Sequence, residues 1–170
     1  AKEKLKHIVS KEAFNIDGLG KKVIEQFWDL KLIKEPSDIF ELNYDKINNL
    51  DGWGDLSIDN LKKSIAKARK ITLDKFIFSI GIRHIGQENA KILAGLFGTI
   101  EKFIKLFDIK KRKKLLQNLV DLDGIGETQI NSIESFFLNE TNALITQKLI
   151  NKLEIKNYII SNKNGKFSNK

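Results

Sequence analysis

An all-α protein, assembled from repeated helix–turn–helix units, is what this sequence predicts, and three observations predict it. The string "NIDGLGKKV" at residues 15–23 returns as "NLDGWGDLS", "GIRHIGQEN" and "DLDGIGETQ". After each copy, apolar residues recur four and seven positions beyond the last glycine, which is the spacing of one helix face. Ahead of the motifs stand short apolar-patterned segments, "YDKINNL", "LDKFIFSI" and "LLQNLV", that also read as helix.

With the last glycines in register, Gly20, Gly54, Gly86 and Gly126 form one column, separated by 34, 32 and 40 residues. Two positions earlier stand Gly18, Gly52, His84 and Gly124, and between the columns lie Leu19, Trp53, Ile85 and Ile125. Ile16, Leu50, Ile82 and Leu122 precede the last glycine by four. Ile24, Ile58, Ala90 and Ile130 follow it by four, and Phe27, Leu61, Leu93 and Ile133 by seven. The motif takes seven of the chain's 11 glycines, so glycine use here is mainly a matter of these turns.

Along the chain, each motif opens a helix with an inward apolar stripe, and the segments behind Asn43 and Thr72, which stand where N-caps would, lead into the second and third turns. Both glycines of a turn, Gly20 included, are expected at positive φ or where the backbone passes too close for a Cβ. The apolar residue between them plugs the groove between the two helices. One short unit exposes a stripe it cannot bury alone, so the units pair, at about residues 13–70 and 71–153, around a common pseudo-two-fold core.

Composition bounds the function. A chain of 170 residues with 41% apolar content can build a real core. It has no cysteine, and His7 and His84 stand too far apart for a metal motif, so neither disulfide nor metal site is expected. No apolar stretch approaches the roughly 20 residues that span a bilayer, and the start lacks a signal-peptide core, so no membrane partner is expected. The net charge of +8 and pI near 9.5 fit an anionic partner, or a lysine-rich composition that keeps the protein soluble. Charge alone leaves both open.

A turn that ends in a helix N-terminus presents unpaired amides at the positive end of the macrodipole, a ready place for a phosphate. The donors would be the amides of Gly18, Leu19, Gly20 and Lys21, of Gly52 to Asp55, of His84, Ile85, Gly86 and Gln87, and of Gly124 to Glu127. Lys22 and Thr128 follow in the first turns of their helices. The alternative is that each motif only closes an αα-hairpin; four aligned copies in a basic chain favour backbone-phosphate contacts, which carry no sequence information. "KKRKK" at residues 110–114 reads equally as a phosphate stripe or a solvated face. Trp28 and Trp53 read either as rings that stack on bases or, from their apolar columns, as core residues, and core packing is the expectation. His84 fills a glycine position, where it contacts a phosphate or tolerates a strained backbone. Neither Glu134, Glu140 nor the scattered aspartates form a catalytic or Mg²⁺ pair, and no nucleophile constellation is present.

The ordered set of motifs resembles the helix-hairpin-helix domain of the bacterial NAD-dependent DNA ligases over nearly the whole chain. The resemblance is carried by "HIVSKEAFNIDGLGKKVIEQF", "LDGWGDLSIDNLKKSIAKARKITLDKFIFSIGIRHIGQENAKILAGLFG" and "LDGIGETQINSIESFF". It implies a fragment of a longer enzyme. Residues 1–12 would follow a four-cysteine zinc module, and residues 154–170, with "SNKNGKFSNK", would lead toward a BRCT domain. It further implies a monomeric, cytoplasmic domain at the nucleoid that binds double-stranded, nicked DNA across the minor groove beside the other domains of its ligase. NAD, Mg²⁺ and Zn²⁺ belong to that parent enzyme, which acts in replication and repair; this stretch holds no catalytic residue and no cofactor.

By matching position, the resemblance assigns Gly18, Gly20, Gly52, Gly54, Gly86, Gly124 and Gly126 as hairpin glycines and Arg83 and His84 as side chains of the third turn. The family often has a lysine where Leu56 stands, and Asp55 adds a negative charge, so the first turn, with Lys21 and Lys22, is expected to be the stronger phosphate site and the second the weaker. A junction-binding or excision-repair protein of the same motif class, and a scaffold whose hairpins bind protein partners, are the alternatives.

Overall fold

Helix formation follows the apolar periodicity and stops at the motifs in the computed structural model, which describes residues 1–160. The chain divides into two units, the first comprising Ala1–Ile71 and Ile145–Glu154. It opens with α1 (Lys2–Val9), whose Leu5, Ile8 and Val9 are buried at helical spacing. α1 packs on α2 (Lys21–Asp29), which turns Ile24 and Phe27 inward. A 3₁₀ turn (Pro36–Glu41) begins with proline and is held by Asp38, whose carboxylate accepts the amides of Lys34 and Glu35 at 2.8 and 3.1 Å.

α3 (Tyr44–Asn48) then leads to α4 (Asp55–Ala68), whose Ile58, Leu61, Ile65 and Ala68 form the buried stripe. Arg69 ties the end of this unit together. Its guanidinium donates to the Lys152 and Phe40 carbonyls at 2.9 and 2.8 Å and lies 5.3 Å from the centre of the Phe40 ring.

The second unit comprises Thr72–Leu144 and, within the described residues, the segment from Ile155. α5 (Leu73–Ser79) and α6 (Gln87–Phe97) pack on each other. α7 (Ile100–Phe103) runs into a 3₁₀ turn (Ile104–Phe107), followed by α8 (Ile109–Leu119), α9 (Glu127–Leu138) and α10 (Glu140–Ile150), the last of which ends in the first unit. Phe103 is the centre of this core. Phe76, Phe97 and Phe137 meet it edge-on at 5.8, 5.6 and 5.9 Å, the arrangement that ring quadrupoles favour. Burying each such ring stabilises the fold by about 2–3 kcal/mol.

The protein is largely helical, as expected, and β1 (Lys70–Thr72) and β2 (Glu154–Lys156) add a short two-stranded sheet. The expectation about caps needs correction at one site. Asn43 does cap α3, accepting from the Lys46 amide, but Thr72 precedes α5 without a side-chain cap, its extended backbone being used by β1 instead. The segment from 154 is also engaged: the Glu154 amide bonds the Arg69 carbonyl at 2.7 Å, and the Tyr158 amide the Gly98 carbonyl at 2.9 Å. The "SNKNGKFSNK" stretch lies outside the described residues.

Candidate nucleic-acid interface

The four motifs share one backbone geometry. Each is a four-residue turn closed by a hydrogen bond from the amide of its last residue to the carbonyl of its first: Leu19 to Ile16, Trp53 to Leu50, Ile85 to Ile82 and Ile125 to Leu122, at 3.1–3.2 Å. Only the third residue has positive φ, which is type II geometry: Gly18 at +85°, Gly52 at +84°, His84 at +66° and Gly124 at +89°. The fourth residue plugs the core as expected in the first, third and fourth turns. Leu19, Ile85 and Ile125 are buried, and Trp53 is half-buried 5.6 Å from Phe27, its indole N–H directed at Gln26 Oε1. Trp28 is likewise half-buried, so neither tryptophan is the core residue expected from its apolar column.

The second glycine of each pair behaves differently from expectation. Gly20, Gly54, Gly86 and Gly126 have φ of −84°, −151°, −87° and −97° with ψ near 180°, extended backbone that any residue adopts. A Cβ on Gly20 or Gly54 would meet nothing within 4 Å, and on Gly86 only Asn89 Oδ1 at 3.9 Å. The turn's need for left-handed backbone is met one position earlier, by the first glycine or His84. Nothing among the described residues demands glycine in the second column at these three sites.

These four glycines are the N-caps of α2, α4, α6 and α9, and none supplies a side-chain cap. Four other helices are capped in the usual way, while α1 and α5 have no side-chain cap. Asn43, Thr99, Asp108 and Asn139 accept from the amides three residues on, at Lys46, Lys102, Lys111 and Asn142. After three of the turns, a side chain reaches back to the glycine amide: Ser57 Oγ to Gly54 at 2.9 Å, Asn89 Oδ1 to Gly86 at 3.1 Å and Gln129 Oε1 to Gly126 at 2.9 Å. That is half of a capping box, and it leaves the next amides without a side-chain acceptor. The first turn has Val23 at that place and lacks even this half. Ser57, Asn89 and Gln129 were not singled out from sequence, although a polar residue three after a helix-opening glycine is a readable signal.

Charge separates the turns. Exposed Asp17 is outweighed by exposed Lys21 and Lys22 at the first, and Arg83 and His84 stand with Glu88 at the third. The second has Asp51 and Asp55, with Leu56 exposed, and the fourth Asp123 and Glu127. The third and fourth turns are joined by side chains. His84 Nδ1 lies 3.0 Å from Ser132 Oγ, and Asn89, whose Oδ1 holds the Gly86 amide, donates through Nδ2 to the Gly124 carbonyl at 2.9 Å. Gln87 and Thr128 are exposed in the first turns of α6 and α9.

Within the basic run, Arg112 is buried and paired to Glu134 at 3.1 Å, while Lys110, Lys111, Lys113 and Lys114 are exposed. Among the described residues no group of three or more His, Asp or Glu is placed to hold a metal, and no helix is long and apolar enough to cross a membrane. With no cysteine in the sequence, the donor set does not fit a thiolate zinc site.

Residues 75–145, which contain the third and fourth turns, match the family model of the helix-hairpin-helix motif. Residues 75–145 form a helix-hairpin-helix domain. The chain is also highly similar to one segment of bacterial DNA ligases. It is 52% identical over 168 residues to a DNA ligase of Pelagibacter ubique (strain HTCC1062), a match covering 99% of this chain and 24% of that protein. DNA ligases of Rickettsia prowazekii (strain Madrid E) and Rickettsia bellii (strain OSU 85-389) are 41% and 40% identical over 164 residues, each match covering 92% of this chain and 24% of the relative. The chain thus spans about a quarter of the length of the relatives it matches.

Proposed function

We propose that the four turns are tandem helix-hairpin-helix motifs in two pseudo-two-fold pairs, and that they grip the sugar-phosphate backbone of double-stranded DNA around a nick. The grip is independent of sequence and serves a tethered NAD-dependent ligase in replication and repair. One observation carries this reading: the chain caps α3, α7, α8 and α10 with side chains, yet presents glycine at the four helix N-termini that follow the turns. A phosphate oxygen would accept the exposed amides at the positive end of each dipole, and an absent Cβ lets the backbone approach. The ligase relatives, each about four times longer, support assigning adenylation, NAD, Mg²⁺ and Zn²⁺ to other parts of a longer chain, with residues 1–12 and 154–170 leading from and to those parts. The chain's own residues bind and orient; they perform no bond-making step. It works as a monomeric part of a cytoplasmic enzyme.

The test is a salt titration of the 170-residue chain on random-sequence duplexes, nicked and intact. Log K is expected to fall with log salt at a slope of about −3 to −5, corresponding to a few neutralised phosphates, with little sequence preference. Absence of binding to any duplex at low salt would instead favour a protein-binding scaffold, and strong preference for branched DNA a junction-binding protein.

A further inference from the structure

The basic run at residues 110–114 is the sequence feature that the turns leave unexplained. Its central residue points inward: Arg112 is 1% exposed, with Nε donating to Glu134 Oε2 at 3.1 Å and Nη1 to the Leu106 carbonyl at 2.9 Å. At roughly 100° per residue, this one anchored side chain fixes the rotation of α8. Lys110, Lys111, Lys113 and Lys114 then fall within an arc of about 160° centred opposite Arg112. All four are exposed, and among the described residues none has a carboxylate within ion-pair distance.

This arrangement works against the helix that carries it. The lysines crowd the N-terminal half of α8, where the macrodipole is positive and acids are favoured, and the first turn of α8 holds no acid. Lys110 with Lys114, Lys110 with Lys113 and Lys111 with Lys114 are also like-charge neighbours at the two spacings that face each other. The Asp108 carboxylate at the N-cap offsets this only in part, one acid against four lysines, and a local rule broken repeatedly marks a surface whose countercharge comes from outside.

We propose that the lysine face of α8 is a second contact for the phosphate backbone of duplex DNA, additional to the turns. The proposal rests on the reading of the turns as a backbone grip and extends that grip along α8. By helical rise the lysines stand roughly 7 to 14 Å from the end of α8 at Leu119, beyond which the chain enters the fourth turn. That turn has Asp123 and Glu127 and no cation of its own, so the α8 lysines supply the charge it lacks. Flexible ammonium groups suit this role, since a duplex presents a negative charge about every 1.7 Å along its axis and asks for no fixed fork geometry.

The experiment combines Lys110→Gln, Lys111→Gln, Lys113→Gln and Lys114→Gln in the 170-residue chain, leaving Arg112 in place; glutamine and lysine have similar helix propensity. The thermal midpoint is expected to rise, because repulsion and the adverse dipole contacts are removed. On a random-sequence duplex the slope of log K against log salt should flatten by about 1 to 3, and affinity at low salt should fall at least roughly tenfold. Arginine at the same four positions should restore slope and affinity. A raised midpoint with unchanged slope and affinity overturns the proposal and leaves the face to an acidic protein partner. If the unaltered chain binds no duplex at low salt, the reading of the turns fails and this inference falls with it; if only the variant comparison is flat, the turns stand and α8 alone is misread.

Discussion

At the scale of single residues, the two glycines of each turn have separate duties, and substitutions can divide them. Gly124 combines φ of +89° with a Cβ position 2.4 Å from Ile92 Cδ1, so Gly124→Ala should destabilise the fold by about 1–3 kcal/mol as the backbone strains and Ile92 moves aside. Gly20 is extended, with open space where a Cβ would stand. Gly20→Ser should therefore raise stability by a few tenths of a kcal/mol, because a serine N-cap accepts an amide that glycine leaves open. The same change should weaken duplex binding, since the hydroxyl occupies the amides and the approach. Chemical unfolding and DNA titration of one purified variant give both readings. A Gly20→Ser chain that is destabilised, or that binds DNA undiminished, contradicts the assignment.

At the scale of elements, the helix starts were legible and the fine roles were not. The +4 and +7 columns placed the openings of α2, α4, α6 and α9 directly after the glycines, because apolar spacing and turn chemistry agree there. Which glycine of a pair takes positive φ was hidden, as both are compatible with it. Arg112 was hidden among lysines because a long cationic side chain can run inward or outward, and the burial is decided by Glu134, 22 residues away.

Asn89 shows what packing adds: one side-chain amide holds the third turn's Gly86 amide and the fourth turn's Gly124 carbonyl. Asn89→Ala should cost about 1–2 kcal/mol from the lost bonds and loosen the register of the two turns, lowering DNA affinity beyond the effect of Ala at exposed Lys91. Hydrogen exchange at the two turns, faster in the variant, reports the loosening.

A second element-scale device is the clamp between α1 and α2. Glu25 is paired to both Lys2 and Lys6, the latter at 2.6 Å, and hydrogen bonds from Lys2 and then Lys6 hold its carboxyl down at about 2. Since the folded value lies below the ordinary 4.5, the clamp's contribution is complete above that pH and is lost as pH falls toward 2. Lys6 is raised, chiefly by its bond to Glu25, so its share persists through neutral pH and disappears only as the solution rises past 10.5. Glu25→Gln should lower thermal stability by a constant amount above about pH 5 and converge on the unaltered chain as pH falls toward 2, which flattens the acid limb. An acid limb unchanged in the variant would place the titration elsewhere.

For the whole molecule, the arrangement of charge matters more than its total. Each unit contains one turn with cations, the first and the third, and one with only acids, the second and the fourth. If both cationic turns touch one duplex, each lost cation removes one counterion-releasing contact. Lys21→Ala and Arg83→Ala should then each reduce the salt slope by about one and the double variant by about two, uniformly across sequences. The affinity losses should add in log K, because the two side chains lie in different units and share no hydrogen-bond partner among the described residues. The stoichiometry should stay at one chain per site throughout. Both positions are exposed, so thermal midpoints should remain within about a degree or two of the unaltered chain. Should either single variant keep its slope while remaining folded, that turn does not face DNA. Should the double variant show no more loss than one single variant, the two turns do not engage the same duplex, and the unit-by-unit distribution of charge has another cause.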